Sequence, residues 1–227
     1  MVQSILMKKI SAPVLIQTNA LAISPTKDFD KRATIIIQHN NLVEAKYSMT
    51  LQQKRIMIWL VAQVMPNDID FKEHVLNINE LIKICNLSGE SSYKEIKNIT
   101  FSLIEKGIRI IDITDPKNNR EIQVPWLSSA DYYKGQVKLS FSPKLKPYLL
   151  KLRDNFTVIN TLDLMQFKSV HAIRIYELLK QYQHIGERTL SIDEIKKCCG
   201  VNNKLNTYPN FEKKIILIAQ REINSKS

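Results

Sequence analysis

Apolar residues recur at helical spacing in several stretches of the chain, and capping residues mark where most of them begin. In "TLQQKRIMIWLVAQVM", Thr50 caps and Gln53 at the third position completes a capping box. Ile56 through Ala62 are apolar nearly all round, which predicts a helix central to a core. "NINELIKICNL" carries a second box, Asn77 with Glu80, opening a short helix. "SYKEIKNITFSLIEKG" carries a third, Ser92 with Glu95, and stops at Gly107. Before the first helix, "ATIIIQHNNLVEAKY" reads as a strand. After Gly107 come three β-rich runs, "IRIIDIT", "EIQVPWLSSADYY" and "QVKLSFS". The turn-rich "DPKNNR" joins the first two and "KGQ" the last two. Three helices followed by a β-hairpin is the order of a winged-helix domain.

Further along, "KSVHAIRIYELLKQY" predicts a helix with Ser169 as N-cap and Ala172, Ile175, Tyr176, Leu179 and Tyr182 on one stripe. His171, Arg174 and Glu177 then fall on its wet side. His171 and Glu177 point about 120° apart, so they cannot converge on one atom. Arg174 with Glu177 reads as a solvated i,i+3 pair, worth a few tenths of a kcal/mol.

This helix begins a second round of the same grammar. "TLSIDEIKKCCGV" aligns with "VLNINELIKICNL", so that Leu190, Ile192, Glu194, Lys197 and Cys199 face Leu76, Ile78, Glu80, Lys83 and Cys85. Ser191 with Glu194 repeats the capping box. A long helix precedes and follows each copy, Tyr176 standing in the place of Trp59. An internal repeat of this length implies two related domains, against chance recurrence of helical patterns. The Leu76–Cys85 and Leu190–Cys199 segments should superpose, with Ile78, Ile192, Cys85 and Cys199 buried alike. Pro143 and Pro147 break regular structure in "SFSPKLKPYLLKLRDNFTVINT", where "PYLLKL" predicts a short connecting helix. The expected architecture is α+β, two tandem winged-helix domains related by that repeat. Residues 1–33 form a poorly ordered leader, 34–150 the first winged helix and 151–227 the second.

The chain has 227 residues with a net charge of +11, and the surplus is shared by both halves. It favours a polyanionic partner, nucleic acid first and anionic membrane second. No run of 18 apolar residues exists, so no membrane-spanning segment is expected. Cys85, Cys198 and Cys199 form neither a disulfide framework nor a zinc-ligand spacing, which points to small buried thiols in a reducing cytosol. Catalytic signatures are missing too. Five glycines leave little scope for phosphate loops, and His39, His74, His171 and His184 make no metal pair. The tyrosines therefore lack the metal-held phosphate that a nicking nucleophile generally needs. The acids of "DID" at 68–70 and "DIT" at 112–114 read as loop and strand ends. The expectation is a non-enzyme with no cofactor and no metal.

Nucleic-acid signals are stronger. In a helix-turn-helix, the second helix enters the major groove. In "PNFEKKIILIAQREIN", Phe211, Ile215, Ile218, Ala219 and Glu222 or Ile223 form the core stripe. Asn210, Lys213, Lys214, Leu217 and Arg221 face out. Asparagine pairs with adenine, and lysine or arginine with guanine. Upstream, Lys204, Asn206 and Thr207 stand near the helix start, where backbone N–H groups favour phosphate. Lys204, Asn206, Thr207, Asn210, Lys213, Lys214 and Arg221 are thus the base-reading candidates. In the first copy Ser92, Lys94, Lys97 and Asn98 suit phosphate contact, with Glu105 the only acid facing out. Lys117 and Arg120 at the "DPKNNR" tip form a wing able to reach an adjacent backbone. A merely solvated basic helix is the bland alternative.

"FTVINTLDLMQFKSVHAIRIYELLKQYQ" resembles the most characteristic segment of the iteron-plasmid replication initiators, the Rep family with two tandem winged helices. "YSMTLQQKRIMIWLVAQV", "VKLSFSPKLKPYLLKL" and "FEKKIILIAQREIN" are similar to its other landmarks, in order, over roughly residues 38 to 224. The resemblance implies a cytoplasmic, plasmid-associated bacterial protein that binds duplex DNA without catalysis. Monomers bind tandem origin repeats, help open the origin and recruit the host initiator ATPase and replicative helicase. Dimers, formed through the first domain, repress their own gene at an inverted repeat. The second domain reads bases and the first holds phosphate, with a joint near Pro143 to Asn155 that lets them reorient. The family continues into a β-hairpin where this chain ends at "REINSKS", so the second domain is expected to lack its wing. Two rival functions share parts of this pattern: a winged-helix transcriptional regulator without an initiation role, and an interaction scaffold that does not touch DNA.

Overall fold

Thr50 and Gln53 open the central helix reciprocally: Gln53 Oε1 accepts from Thr50 N at 2.9 Å, and Thr50 Oγ1 accepts from Gln53 N at 3.2 Å. This helix, α2 (Leu51–Ala62), buries Ile56, Met57, Ile58, Leu60, Val61 and Ala62, as its all-round apolar half predicts. In the computed structural model the described residues are 4–6, 35–65, 68–112, 120–202, 204–205 and 207–225. Of the expected leader, β1 (Ser4–Leu6) is described as a strand, and the rest lies outside the described residues.

The run expected as one strand before α2 is β2 (Ile35–His39) followed by a helical turn, α1 (Asn40–Val43). The strand stops because His39 Nδ1 accepts from Asn41 N at 3.1 Å, capping α1. Then come β3 (His74–Asn77), α3 (Ile78–Cys85) and α4 (Ser92–Glu105). α3 carries its Asn77–Glu80 box. The box expected at Ser92 is absent. Ser91 is the N-cap residue without a side-chain cap bond, and Ser92 turns inward, donating from Oγ to Gly89 O at 2.8 Å.

After α4 the chain forms β4 (Gly107–Ile111), β5 (Glu121–Pro125), β6 (Leu127–Tyr133) and β7 (Gln136–Phe141). The second β-rich run is thus two strands. Trp126 divides them by burying its ring edge-on against Tyr47, centroids 5.0 Å apart. β5 pairs antiparallel with β4, while β6 and β7 form a hairpin that extends onto β3 in the order β3-β7-β6. A 3₁₀ turn at Pro143–Leu145 and α5 (Lys146–Leu149) follow; the helix expected over "PYLLKL" starts one residue earlier, takes Pro147 into its first turn and stops at Leu149.

β8 (Phe156–Asn160) returns to pair antiparallel with β2, Ile36 opposite Ile159. α6 (Thr161–Met165), α7 (Val170–Lys180), β9 (Thr189–Ser191) and α8 (Ile192–Cys198) complete the approach to the last helix. β9 pairs with β1. The capping box of Ser191 and Glu194 forms as predicted. Cys85 and Cys199 are both buried, and burial pushes each thiol up to about 12. Ile78 is buried but Ile192 only half so, contrary to the expectation. β3 is backed by the β6–β7 hairpin, whereas among the described residues β9 pairs with the three-residue β1 alone. One contiguous core cluster runs from Ile36 to Ile223, so β2, α2, β8, α7 and the last helix share an interior.

The wet side expected for α7 does not exist at Arg174 and Glu177, which are 2% and 0% exposed. Their physical setting is non-local. Arg174 donates to Val43 O at 2.9 Å, Ala45 O at 3.0 Å and Cys198 O at 3.3 Å. Glu177 bridges Arg174 Nη1 at 2.7 Å and Lys54 Nζ at 2.7 Å, and Lys54 donates onward to the Tyr47 hydroxyl at 2.8 Å. Arg174 also stacks over the Tyr47 ring, 4.3 Å from its centroid.

Candidate nucleic-acid interface

The last helix is α9 (Tyr208–Phe211), a π turn over Glu212–Ile216 and α10 (Leu217–Asn224), continuous in path. The π turn is wider than an α turn, and Ile215 and Ile216 are both buried beside Phe211, Ala219 and Ile223. Asn210, Lys213, Lys214, Leu217 and Arg221 all face solvent, as the periodicity predicts. Of the two core candidates at the helix end, Ile223 is buried. Glu222 has a different task, accepting from Lys168 N at 3.0 Å and Ser169 N at 3.3 Å, so that the last helix caps the start of α7. Lys204 and Thr207 are exposed just before the helix, and Asn206 lies outside the described residues. Lys204 also acts on α7: burial first, and then the Lys204 charge, lower the pKa of His171.

On α4, Lys94, Lys97 and Asn98 are exposed together. The Lys97 ammonium is flanked by two rings, 5.0 Å from the Tyr93 centroid and 5.3 Å from that of Tyr132. Tyr132 is anchored in turn on Thr100 through a 2.6 Å hydroxyl contact. Ser92, expected among the phosphate ligands, is only 4% exposed with its hydroxyl engaged by Gly89 O, so it is withdrawn from that surface. Arg120 is exposed where the β4–β5 hairpin closes through Asp112 N to Arg120 O at 2.9 Å. Lys117 lies outside the described residues.

A feature that the sequence reading missed is a cleft of about 380 Å³ between the β4–β5 hairpin and the turn after α8. Its wall carries Lys46, Arg109 and Lys197, with Gln123 and Asn202 beside them. Tyr47, Ser48 and Gly200 form the seam between the two sides. Gly200 has φ +65°, and a Cβ there would come within 2.7 Å of Tyr47 O and Ser48 Cβ. Arg109 was legible as an outward residue from the alternation of "GIRII". Its approach to Lys46 and Lys197 was not, because strand pairing and the fold bring them together: Lys46 N donates to Arg109 O at 2.9 Å. Among the described residues no cluster of His, Cys, Asp or Glu could hold a metal ion, and no helix is long and apolar enough to cross a membrane.

Residues 35–180 match a family model described as "Initiator Replication protein, WH1". The chain is 23% identical over 202 residues to a replication initiation protein of Escherichia coli, an alignment covering 85% of this chain and 63% of that protein. It is 27% identical over 168 residues to an uncharacterized 27.6 kDa protein of Escherichia coli, covering 66% and 67% respectively. The chain therefore spans less than two thirds of the length of the first of these relatives. Among solved structures, the Pi initiator protein in complex with iteron DNA matches with a TM-score of 0.65 at 17% identity, over 86% of this chain and 88% of that one. That likeness establishes a mixed α and β fold of the winged-helix kind.

Proposed function

The chain belongs to the Initiator Replication protein, WH1 family, and from that premise we propose that it initiates plasmid replication by binding tandem iteron repeats in duplex DNA. In this reading it helps open the origin, recruits the host initiator ATPase and helicase, and as a dimer represses its own gene. The first winged helix, within residues 34–150, holds backbone and dimerises; the second, within 151–227, reads bases. The observation that carries the reading is the outward row Asn210, Lys213, Lys214 and Arg221 on the helix that follows capped α8. That is where a helix-turn-helix presents its base contacts. The net charge of +11 supplies the non-specific attraction that such binding needs. The replication initiation protein of Escherichia coli and the iteron-bound Pi initiator support the assignment by likeness.

The two kinds of DNA contact separate in one titration. Duplex carrying the repeats beside the gene is compared with scrambled duplex over a range of salt. Lys213→Ala or Lys214→Ala should weaken repeat binding by about 1–3 kcal/mol and flatten sequence preference. Lys94→Ala and Lys97→Ala should weaken both duplexes equally and make the log–log salt slope shallower by about 0.9 each. Equal loss of specific and non-specific affinity in all four variants would overturn the division of labour.

A further inference from the structure

We infer that the cleft between the β4–β5 hairpin and the turn after α8 seats a backbone phosphate of the bound duplex. This inference rests on the DNA-binding reading and adds a third contact to it, where the β4–β5 hairpin meets the turn after α8. Lys46, Arg109 and Lys197 come from three separate segments of the chain and converge on one open cleft. Among the described residues neither Lys46 nor Lys197 has a carboxylate partner within ion-pair distance. Two carboxylates act on the lining residues: Glu121, held 3.1 Å from Arg109 Nε and accepting from Gln123 Nε2 at 2.8 Å, and Glu194, whose carboxyl pKa is lowered first by hydrogen bonds from Ser191 and also by the Lys197 charge. Behind the wall, Tyr47 touches both Lys54 and Arg174, and among the described residues these two cations share one carboxylate, Glu177. The interior therefore adds a surplus positive charge where solvent screens it least. Gln123 and Asn202 supply neutral amide donors at the same opening.

Position argues for a nucleic-acid phosphate over a small free anion. One side of the cleft is the hairpin whose tip carries Arg120, and the other is the turn that leads through Lys204 to the last helix. A strand of duplex passing from the hairpin to that helix crosses the cleft. The seam is also close, because Gly200 packs directly on Tyr47 and Ser48 with no room for a side chain.

The test uses the full chain with Lys46→Gln and Lys197→Gln combined. Its control is Lys144→Gln with Lys151→Gln, which removes the same charge from exposed positions elsewhere. The cleft pair should make the salt slope shallower by about 1.8 for repeat-bearing and scrambled duplex alike, with the ratio of the two affinities unchanged. The control pair should leave the slope near that of the unsubstituted protein. Glu121→Gln should act in the opposite sense, tightening both duplexes and steepening the slope by about 0.9 as Arg109 is released. A damaged fold could not produce that gain. If the unsubstituted protein binds but the cleft and control pairs behave alike, or Glu121→Gln brings no gain, the phosphate seat is wrong and the DNA-binding reading stands. If the unsubstituted protein binds neither duplex, both fall.

Discussion

Glu177 is fully buried between two cations. Burial alone would raise its carboxyl; Lys54 and Arg174 overcome that and hold it below the usual carboxylate range. Such a cluster contributes little net stability compared with an apolar core of the same volume, but it is costly to break by halves. Glu177→Ala would leave both cations buried without their anion. The expected loss is about 3–5 kcal/mol in urea unfolding. A loss below about 1 kcal/mol would mean that water reaches the site and that the cluster is not dry. None of this was legible from residues 168–182. A buried and a solvated i,i+3 pair look the same in sequence, and the partners that decide between them, Val43, Ala45 and Lys54, lie more than a hundred residues upstream.

Local devices survive the passage from sequence to element, and non-local ones do not. The boxes at Thr50, Asn77 and Ser191 form because each needs only its own first turn. The box at Ser92 fails because a loop carbonyl, Gly89 O, takes the hydroxyl first. Likewise the outward row of the last helix was legible from helical spacing, whereas the cleft needed the fold to join Lys46, Arg109 and Lys197. Gly200 shows how tightly the elements meet. Gly200→Ala should incur the left-handed backbone cost of about 1–2 kcal/mol and in addition push against Tyr47 and Ser48. Gly186 is the matching control, with φ +84° and nothing within 4 Å of its missing Cβ. Gly200→Ala should therefore lower the melting temperature by clearly more than Gly186→Ala. Equal shifts would mean that the seam gives way freely.

At the scale of the whole molecule, acid should weaken the fold in two stages. Burial lowers the pKa of His39, His74 and His171, with nearby carboxylates opposing it at the first two and Lys204 reinforcing it at the third. The unfolded chain, with histidines near 6.5, takes up protons before the folded one does. Their contribution is whole above about pH 6.5 and is lost as pH falls through that value towards the folded pKa values. Glu177 acts lower: its contribution is present above the usual glutamate pKa and is lost as pH falls through its depressed folded value. Urea midpoints should decline from pH 7.5 to 5.5, and again below about pH 4.3. A midpoint that is flat or rises between pH 7.5 and 5.5 would contradict the burial of these imidazoles.

The pairing of β2 with β8 also sets an order in time. A ribosome delivers β2 and α2 early, yet Thr157 reaches Asn40 across 117 residues and Glu177 reaches Lys54 across 123. At synthesis rates of about 5–20 residues per second, Lys54 waits roughly 6–25 s for its carboxylate. Through that interval β2 has an open edge, a template for pairing with any other nascent chain. Polysomes crowded on one message hold such edges close together, so the yield of folded protein should depend on how densely its message is translated.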